Sequence, residues 1–539
     1  MPNTPPAPCS SGKIVTALVC LALSLCLSCL LEARAADVST VDTQISAAEK
    51  LFQQQKYDQA KVAFEQALTA ARAEGDKSAR IGSCLNGLGM VAEAQNDMNK
   101  AGDLFAQALA AKEAALGKDD QALVPILDNL ARYDMQAGKM ADAESLYKRS
   151  VEIREHAGGD KNPDLALSLN KLAHFYQQSA RFADAEDLLK RSLSIIEKNL
   201  GTDNAAVAVG LNNLAAVYSV EKKYTLIEPL YRRALTIFQK SFGAASEPVA
   251  AALNNLSNIL RQEGKFEAAE PYSLQAVTAL EAAKQPDPKR LIIAVNNLAT
   301  VYQEESKFDL AKTTFKKSIS LIETTYSPDD DRLIAPLTSL AALYEMEDNN
   351  TDAETVLKRA AAIAEKKYGA ESEETAVATA NLANLYRIEG KFAESESSYK
   401  QVVAVKEKVL GKDSQELAGD YTDLAIVYKQ EGKTADEEPS LKQAVDIRQK
   451  YEASDPGALA TSLNNLARLY RDKGDYSAAE PLYVKALALR EKVFGANDMS
   501  VAAVLRNYAI LLRAKGENDK ADAMDSRAEK IEDSAETSQ

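Results

Sequence analysis

The chain has 539 residues, and its 79 acidic against 64 basic side chains give a formal net charge of −15. An excess of carboxylates repels a phosphate backbone, so DNA and RNA are poor partners. Two histidines and five cysteines leave little material for a metal centre or a disulfide framework.

At the N-terminus, Lys13 precedes an apolar run from Ile14 to Leu31, and Ala33-Arg34-Ala35 follows. A basic residue, an apolar stretch and small residues at the two positions a signal peptidase reads predict an export signal over residues 1–35. The mature chain then begins at Ala36 and is periplasmic or secreted. An uncleaved anchor over residues 14–31 is the alternative, because such a run is just long enough to cross a bilayer. Only in that case does the chain meet a membrane. Cys29 is a weak lipid-attachment candidate, with Leu27 and Cys26 where a small and an aliphatic residue belong. Cys9, Cys20, Cys26 and Cys29 all lie in this segment, which leaves Cys84 as a small buried residue.

Residues 36–531 are repetitive. A short first unit contains Ala47, Leu51, Tyr57, Ala60, Phe64 and Ala67. A ladder with a constant 42-residue step then reads Leu85, Leu127, Leu169, Leu211, Leu253, Val295, Leu337, Thr379, Tyr421, Leu463 and Leu505. Three positions after it stands another leucine, such as Leu172 or Leu466; one further on a small residue, such as Ala173 or Ala467; and three beyond that a tyrosine, such as Tyr176 or Tyr470. Positions 0, 3, 4 and 7 share one helix face, and the small residue admits a second helix closely. This helix A ends at turns such as Gly138-Lys139 and Gly390-Lys391. Helix B follows, exemplified by Ala479, Tyr483, Ala486 and Leu487, and ends at glycines such as Gly201 and Gly495. Lys198, Lys366, Lys408 and Lys492 in its last turns complement the helix dipole. The reading gives about twelve helical pairs with no linker between them, followed by a polar tail over residues 532–539 that is expected to fray.

The pattern L-x-x-L-A-x-x-Y followed by A-x-x-x-F/Y resembles the tetratricopeptide repeat. WD40 blades need strands and tryptophan, and the chain has no Trp; HEAT units lack this pair of helix signatures. The phrases Leu211-Asn212-Asn213-Leu214-Ala215, Leu463-Asn464-Asn465-Leu466-Ala467 and Glu480-Pro481-Leu482-Tyr483 are similar to the 42-residue repeats of the kinesin light chain type. Two departures are plain: the His-Pro of the inter-repeat loop is absent, with only Asn162-Pro163 and Glu247-Pro248 nearby, and there is no heptad segment for joining a heavy chain. The resemblance therefore implies an all-α, right-handed α-solenoid superhelix and a peptide-binding habit, without the motor role.

It also implies that residues one, five and eight after the ladder position line a concave groove. The first column includes Asn170, Asn212, Asn254, Asn296, Asn464 and Arg506; the eighth includes Arg261, Arg387, Lys429, Arg471 and Arg513; Arg468 joins from the fifth. Amides can hydrogen-bond the backbone of an extended peptide, and arginines beside them favour carboxylates. The expected function is that of a monomeric scaffold that holds a protein or peptide partner, acidic segments in particular. The bland reading is that the amides brace neighbouring helices and the cations are ordinary surface. An assembly role through the convex face or the ends of the superhelix is the functional alternative.

Catalysis finds little support. His156 and His174 lack partners at ligand spacing, Gly432-Lys433-Thr434 lies in an ordinary turn with Val427 where a phosphate loop has its first glycine, and Gly87-x-Gly89 sits inside a helix with no strand before it. Asp329-Asp330-Asp331 lacks the spacing of a calcium loop. No cofactor and no metal is expected.

Overall fold

The computed structural model describes residues 40–75, 78–284 and 286–536; the export signal or anchor expected over residues 1–35 lies outside them. The described residues form 24 helices and no strand, and none of those helices is long and apolar enough to cross a membrane. They divide into two compact units, with the boundary between Ser241 and Phe242.

Five antiparallel pairs make up the first unit. Numbered along the chain as pairs 1 to 5, they are Thr40–Gln53 with Tyr57–Ala73, Ala79–Ala94 with Met98–Leu116, Val124–Gln136 with Met140–His156, Asp164–Gln178 with Phe182–Leu200, and Ala205–Val220 with Tyr224–Phe242. The second unit holds pairs 6 to 12: Glu247–Gln262 with Phe266–Glu281, Pro288–Glu304 with Phe308–Thr325, Ile334–Met346 with Asn350–Tyr368, Glu373–Ile388 with Phe392–Leu410, Leu417–Gln430 with Thr434–Lys450, Pro456–Asp472 with Tyr476–Phe494, and Met499–Ala514 with Asn518–Glu536. The last helix continues through the segment read as a tail as far as Glu536.

Each pair is built as the periodicity predicts. Leu127, Leu169, Leu211 and Leu253 are buried, and so are the small residues four positions on, Ala131, Ala173, Ala215 and Ser257. In pair 2 that small residue is Gly89, where an added Cβ would lie 2.6 Å from the Phe105 ring. At Gly87 a Cβ would lie 2.3 Å from the Phe64 ring. Close helix packing, with no phosphate chemistry, thus accounts for Gly87-x-Gly89. The turn between helices A and B is left-handed in every pair, at Gly138, Gly264, Gly390, Gly432, Gly474 and Gly516, but also at Gln55, Asn96, Ala180, Lys222, Ser306 and Asp348. The surrounding helices hold those six residues where glycine would sit without strain.

A polar node ties successive pairs together. In unit 1, Glu186 on helix B of pair 4 accepts from Tyr218 Oη (3.0 Å) and Lys223 Nζ (3.0 Å) of pair 5, and from Lys190 one turn along its own helix (2.6 Å). Glu144 repeats the arrangement with Tyr176, Arg181 and Lys148. Glu354, with Tyr386, Lys391 and Lys358, repeats it in unit 2, as does Glu438, with Tyr470, Lys473 and Lys442. In pair 7 the charges are exchanged: Lys312 stands in the glutamate column and reaches Glu347 of pair 8 at 2.5 Å.

These nodes give the fold an acid limit. The hydrogen bond from Lys190, then those from Lys223 and Tyr218, hold the Glu186 carboxyl down at about 2; Lys400, then Lys433, does the same for Glu396. A folded-state value below the unfolded one of about 4.3 means that the stabilisation is complete above that value and disappears as pH falls through about 2. Solvent around the lysines limits each node to about 1 kcal/mol. Melting temperature is therefore expected to fall between pH 4.5 and 2, and Glu186→Gln should flatten that dependence; a melt that is equally steep in the variant counts against the node.

Consecutive A helices approach one another directly in pairs 1 and 2 of unit 1, and in pairs 6 and 7, 8 and 9, 9 and 10, and 11 and 12 of unit 2; consecutive B helices show no comparable approach. Within each unit, helix A therefore lines the inner side of the stack.

Candidate functional site

On that inner side, at three junctions, the residue one past the ladder bonds the residue two past the ladder of the next pair. In unit 1, Asn129 Nδ2 donates to Asn86 Oδ1 at 2.9 Å, and Lys171 Nζ reaches Asp128 Oδ2 at 2.7 Å. In unit 2, Asn507 Nδ2 donates to Asn464 Oδ1 at 3.2 Å. Asn86 and Asn464 are therefore braces. The sequence reading left the second column out, although the paired asparagines of the Leu-Asn-Asn-Leu phrase carried its signal.

The other amides differ. Asn170 and Asn212 in unit 1, and Asn254 and Asn296 in unit 2, are half-buried, and each Oδ1 is shielded without a hydrogen-bond partner. The amide nitrogen is the end left facing the inner side. A row of such nitrogens offers donors, spaced by one repeat, for the carbonyl groups of an extended chain.

The cationic column is largely occupied by the protein itself. Arg506 is bound by Asp525 and Glu532, and Arg513 by Asp522 and Asp525, all on the terminal helix. Arg471 folds onto Asp472 at 2.7 Å with its side chain only 14% exposed, while Lys429 lies 3.8 Å from the same carboxylate. Arg261 pairs with Glu304 (3.2 Å), and Arg387 donates to Asn384 Oδ1 (2.7 Å). Arg468 alone in this set has neither hydrogen bond nor ion pair among the described residues. Buried Glu437, facing Lys429 and Arg468, is pushed upward by burial and only partly relieved by those cations. His174 is half-buried in the fifth column, and burial pushes its imidazole downward.

A cavity lies elsewhere, between the A–B turns of pairs 6 and 7. It measures about 730 Å³ and is lined by Glu267, Glu270, Glu304 and Glu305 with Lys265 and Lys307. Lys307 bridges Glu270 at 2.6 Å and Glu305 at 3.2 Å, so this space belongs to the node that ties the pairs together.

The tetratricopeptide repeat model matches residues 40–114, 122–198, 206–282, 290–366, 332–408, 374–450 and 458–531. The chain belongs to the tetratricopeptide repeat family. Among solved structures, this tetratricopeptide chain is 24% identical to the nearly identical TPR-like repeats of a Podospora anserina protein described as a kinesin light chain, over 38% of this chain and 97% of that one, with a TM-score of 0.35. RapI in its apo form is 12% identical over 69% of this chain and 98% of its own, with a TM-score of 0.49. A Rap protein solved with competence and sporulation factor is 16% identical over the same shares, with a TM-score of 0.37. No curated protein matches the chain.

Proposed function

We propose that the protein is an exported scaffold that holds an extended segment of a partner along the inner A-helix face. The row of amide nitrogens at Asn170 and Asn212, and again at Asn254 and Asn296, carries this reading: each amide has its oxygen turned in without a partner and its donor end outward. Backbone carbonyls of an extended peptide fit such donors whatever its side chains, which suits a docking protein. Preference for an acidic residue rests on Arg468, because Arg261, Lys429, Arg471, Arg506 and Arg513 already lie near carboxylates and Arg387 is held by the Asn384 amide.

Binding of a random peptide library to the full chain tests this. Asn170→Ala with Asn212→Ala is expected to weaken selected peptides about tenfold, and Arg468→Ala to remove any enrichment for aspartate and glutamate. Unchanged binding in both variants rejects the inner face as the site. Intact-mass analysis of the protein from its native cell, with a first residue at Ala36, tests export; a retained Met1 rejects cleavage.

A further inference from the structure

Pairs 9 and 10 lack the residues for the brace seen at Asn86 and Asn464. The residue one past the ladder in pair 9 is Ala380, which has no amide, and the residue that should meet it from pair 10 is Asp423, which has no proton to donate when ionised. Half-buried Asp423 consequently makes no hydrogen bond and no ion pair among the described residues. The cations near it are engaged elsewhere: Lys406 with Asp420 at 2.8 Å, Arg448 with the carbonyl of Ala458 at 2.8 Å, and Arg387 with Asn384. One turn before Ala380, the same stripe of the pair 9 A helix carries Val377, which is 48% exposed.

We infer that Asp423 is the receptor for a basic side chain, lysine or arginine, of an extended peptide lying along the inner face of pairs 9 and 10. The short side chain of Ala380 leaves room for the cation, and Val377, one turn away, offers apolar surface to its methylene stem. This inference rests on the peptide-scaffold reading and assigns it a charge preference at one position.

The surroundings make the capture pH-dependent. Burial, followed by the neighbouring Asp420 charge, raises the Asp423 carboxyl to about 6 despite Arg387, Lys406 and Arg448, and Tyr399 faces it from helix B of pair 9. An arriving cation favours the ionised form, so affinity is highest above pH 6 and falls as Asp423 takes up a proton below it.

Random dodecapeptides displayed on phage and selected on the full chain at pH 7.5 test the assignment, with the selected sequences remeasured as fluorescein-labelled peptides. Wild type is expected to enrich lysine or arginine at one position, and Asp423→Asn to lose that enrichment with a tenfold or greater weakening. The selected peptides should also bind wild type about tenfold more weakly at pH 5 than at pH 7.5. Asp423→Asn keeps the shape of the side chain and removes a buried charge, so the variant folds at least as well, which a thermal melt checks. Peptides that bind the wild type and Asp423→Asn alike, or carry no basic position, overturn this inference and leave the scaffold standing. Recovery of no peptide overturns both.

Discussion

Phe105→Ala is expected to destabilise the first unit by about 3–5 kcal/mol. Phe105 is fully buried and fills the space that Gly89 opens in helix A of pair 2, against Ala92, Ala101, Leu130 and Tyr133. Removing the ring leaves a cavity that helices anchored on both sides cannot close, so the loss includes the cavity as well as the transfer of the ring to water. Pairs in a solenoid contact only their neighbours, and the damage should accordingly be local. Hydrogen exchange in the variant is expected to accelerate in pairs 1 to 3 and stay unchanged in pairs 6 to 12; a uniform acceleration contradicts nearest-neighbour stacking. A second variant tests the geometry from the opposite side. Gly89→Ala alone should cost about 1–3 kcal/mol, because the Cβ collides with the Phe105 ring. Combined with Phe105→Leu, which reproduces the buried Ala173 and Leu189 of pair 4, much of that loss should return.

The paired helices were legible because a 42-residue step exposes every buried column at once. Leu127, Ala131 and Tyr147 each repeat a choice already seen elsewhere in the chain, and the structure buries all three. The left-handed turns were legible only where glycine marks them. At Ala180 and Lys222 the neighbouring helices impose a conformation that the residue itself disfavours, and local sequence carries no trace of that. The inner face was read less well for a physical reason. A column places side chains on one face but is silent about counter-charges from other helices: Arg506 meets Glu532 from the terminal helix, and Arg261 meets Glu304 from the following repeat. The braces at Asn86 and Asn464 and the open amides at Asn170 and Asn212 are the same residue in the same column. The next pair supplies an asparagine to all four, Asn129 and Asn507 at the braces and Asn213 and Asn255 at the open amides, so the sequence does not separate the two kinds.

Lys406→Met should destabilise the second unit by about 3–5 kcal/mol at neutral pH, by stranding a buried carboxylate. Lys406 occupies a column that holds Ile322 and Ala364 in pairs 7 and 8, and Asp420 stands where pair 9 has Ala378; the two charges meet at 2.8 Å with side chains 10% and 9% exposed. The ladder itself turns polar here, with Thr379 and with Tyr421, whose hydroxyl donates to Glu407 at 2.6 Å. Burial pushes the Asp420 carboxyl upward even with Lys406 in place, and removing the lysine pushes it further. A carboxyl raised in the folded state favours folding when protonated, and that advantage is lost as pH rises through its folded value. The defect of Lys406→Met should consequently be small near pH 4 and complete at pH 7.5, as measured by urea unfolding at both. Lys406→Met combined with Asp420→Leu removes both charges together and should recover most of the stability at pH 7.5, because no unpaired ion remains. A double variant as unstable as the single one would mean that the methionine fits badly in this column and that the stranded charge has little part in the loss.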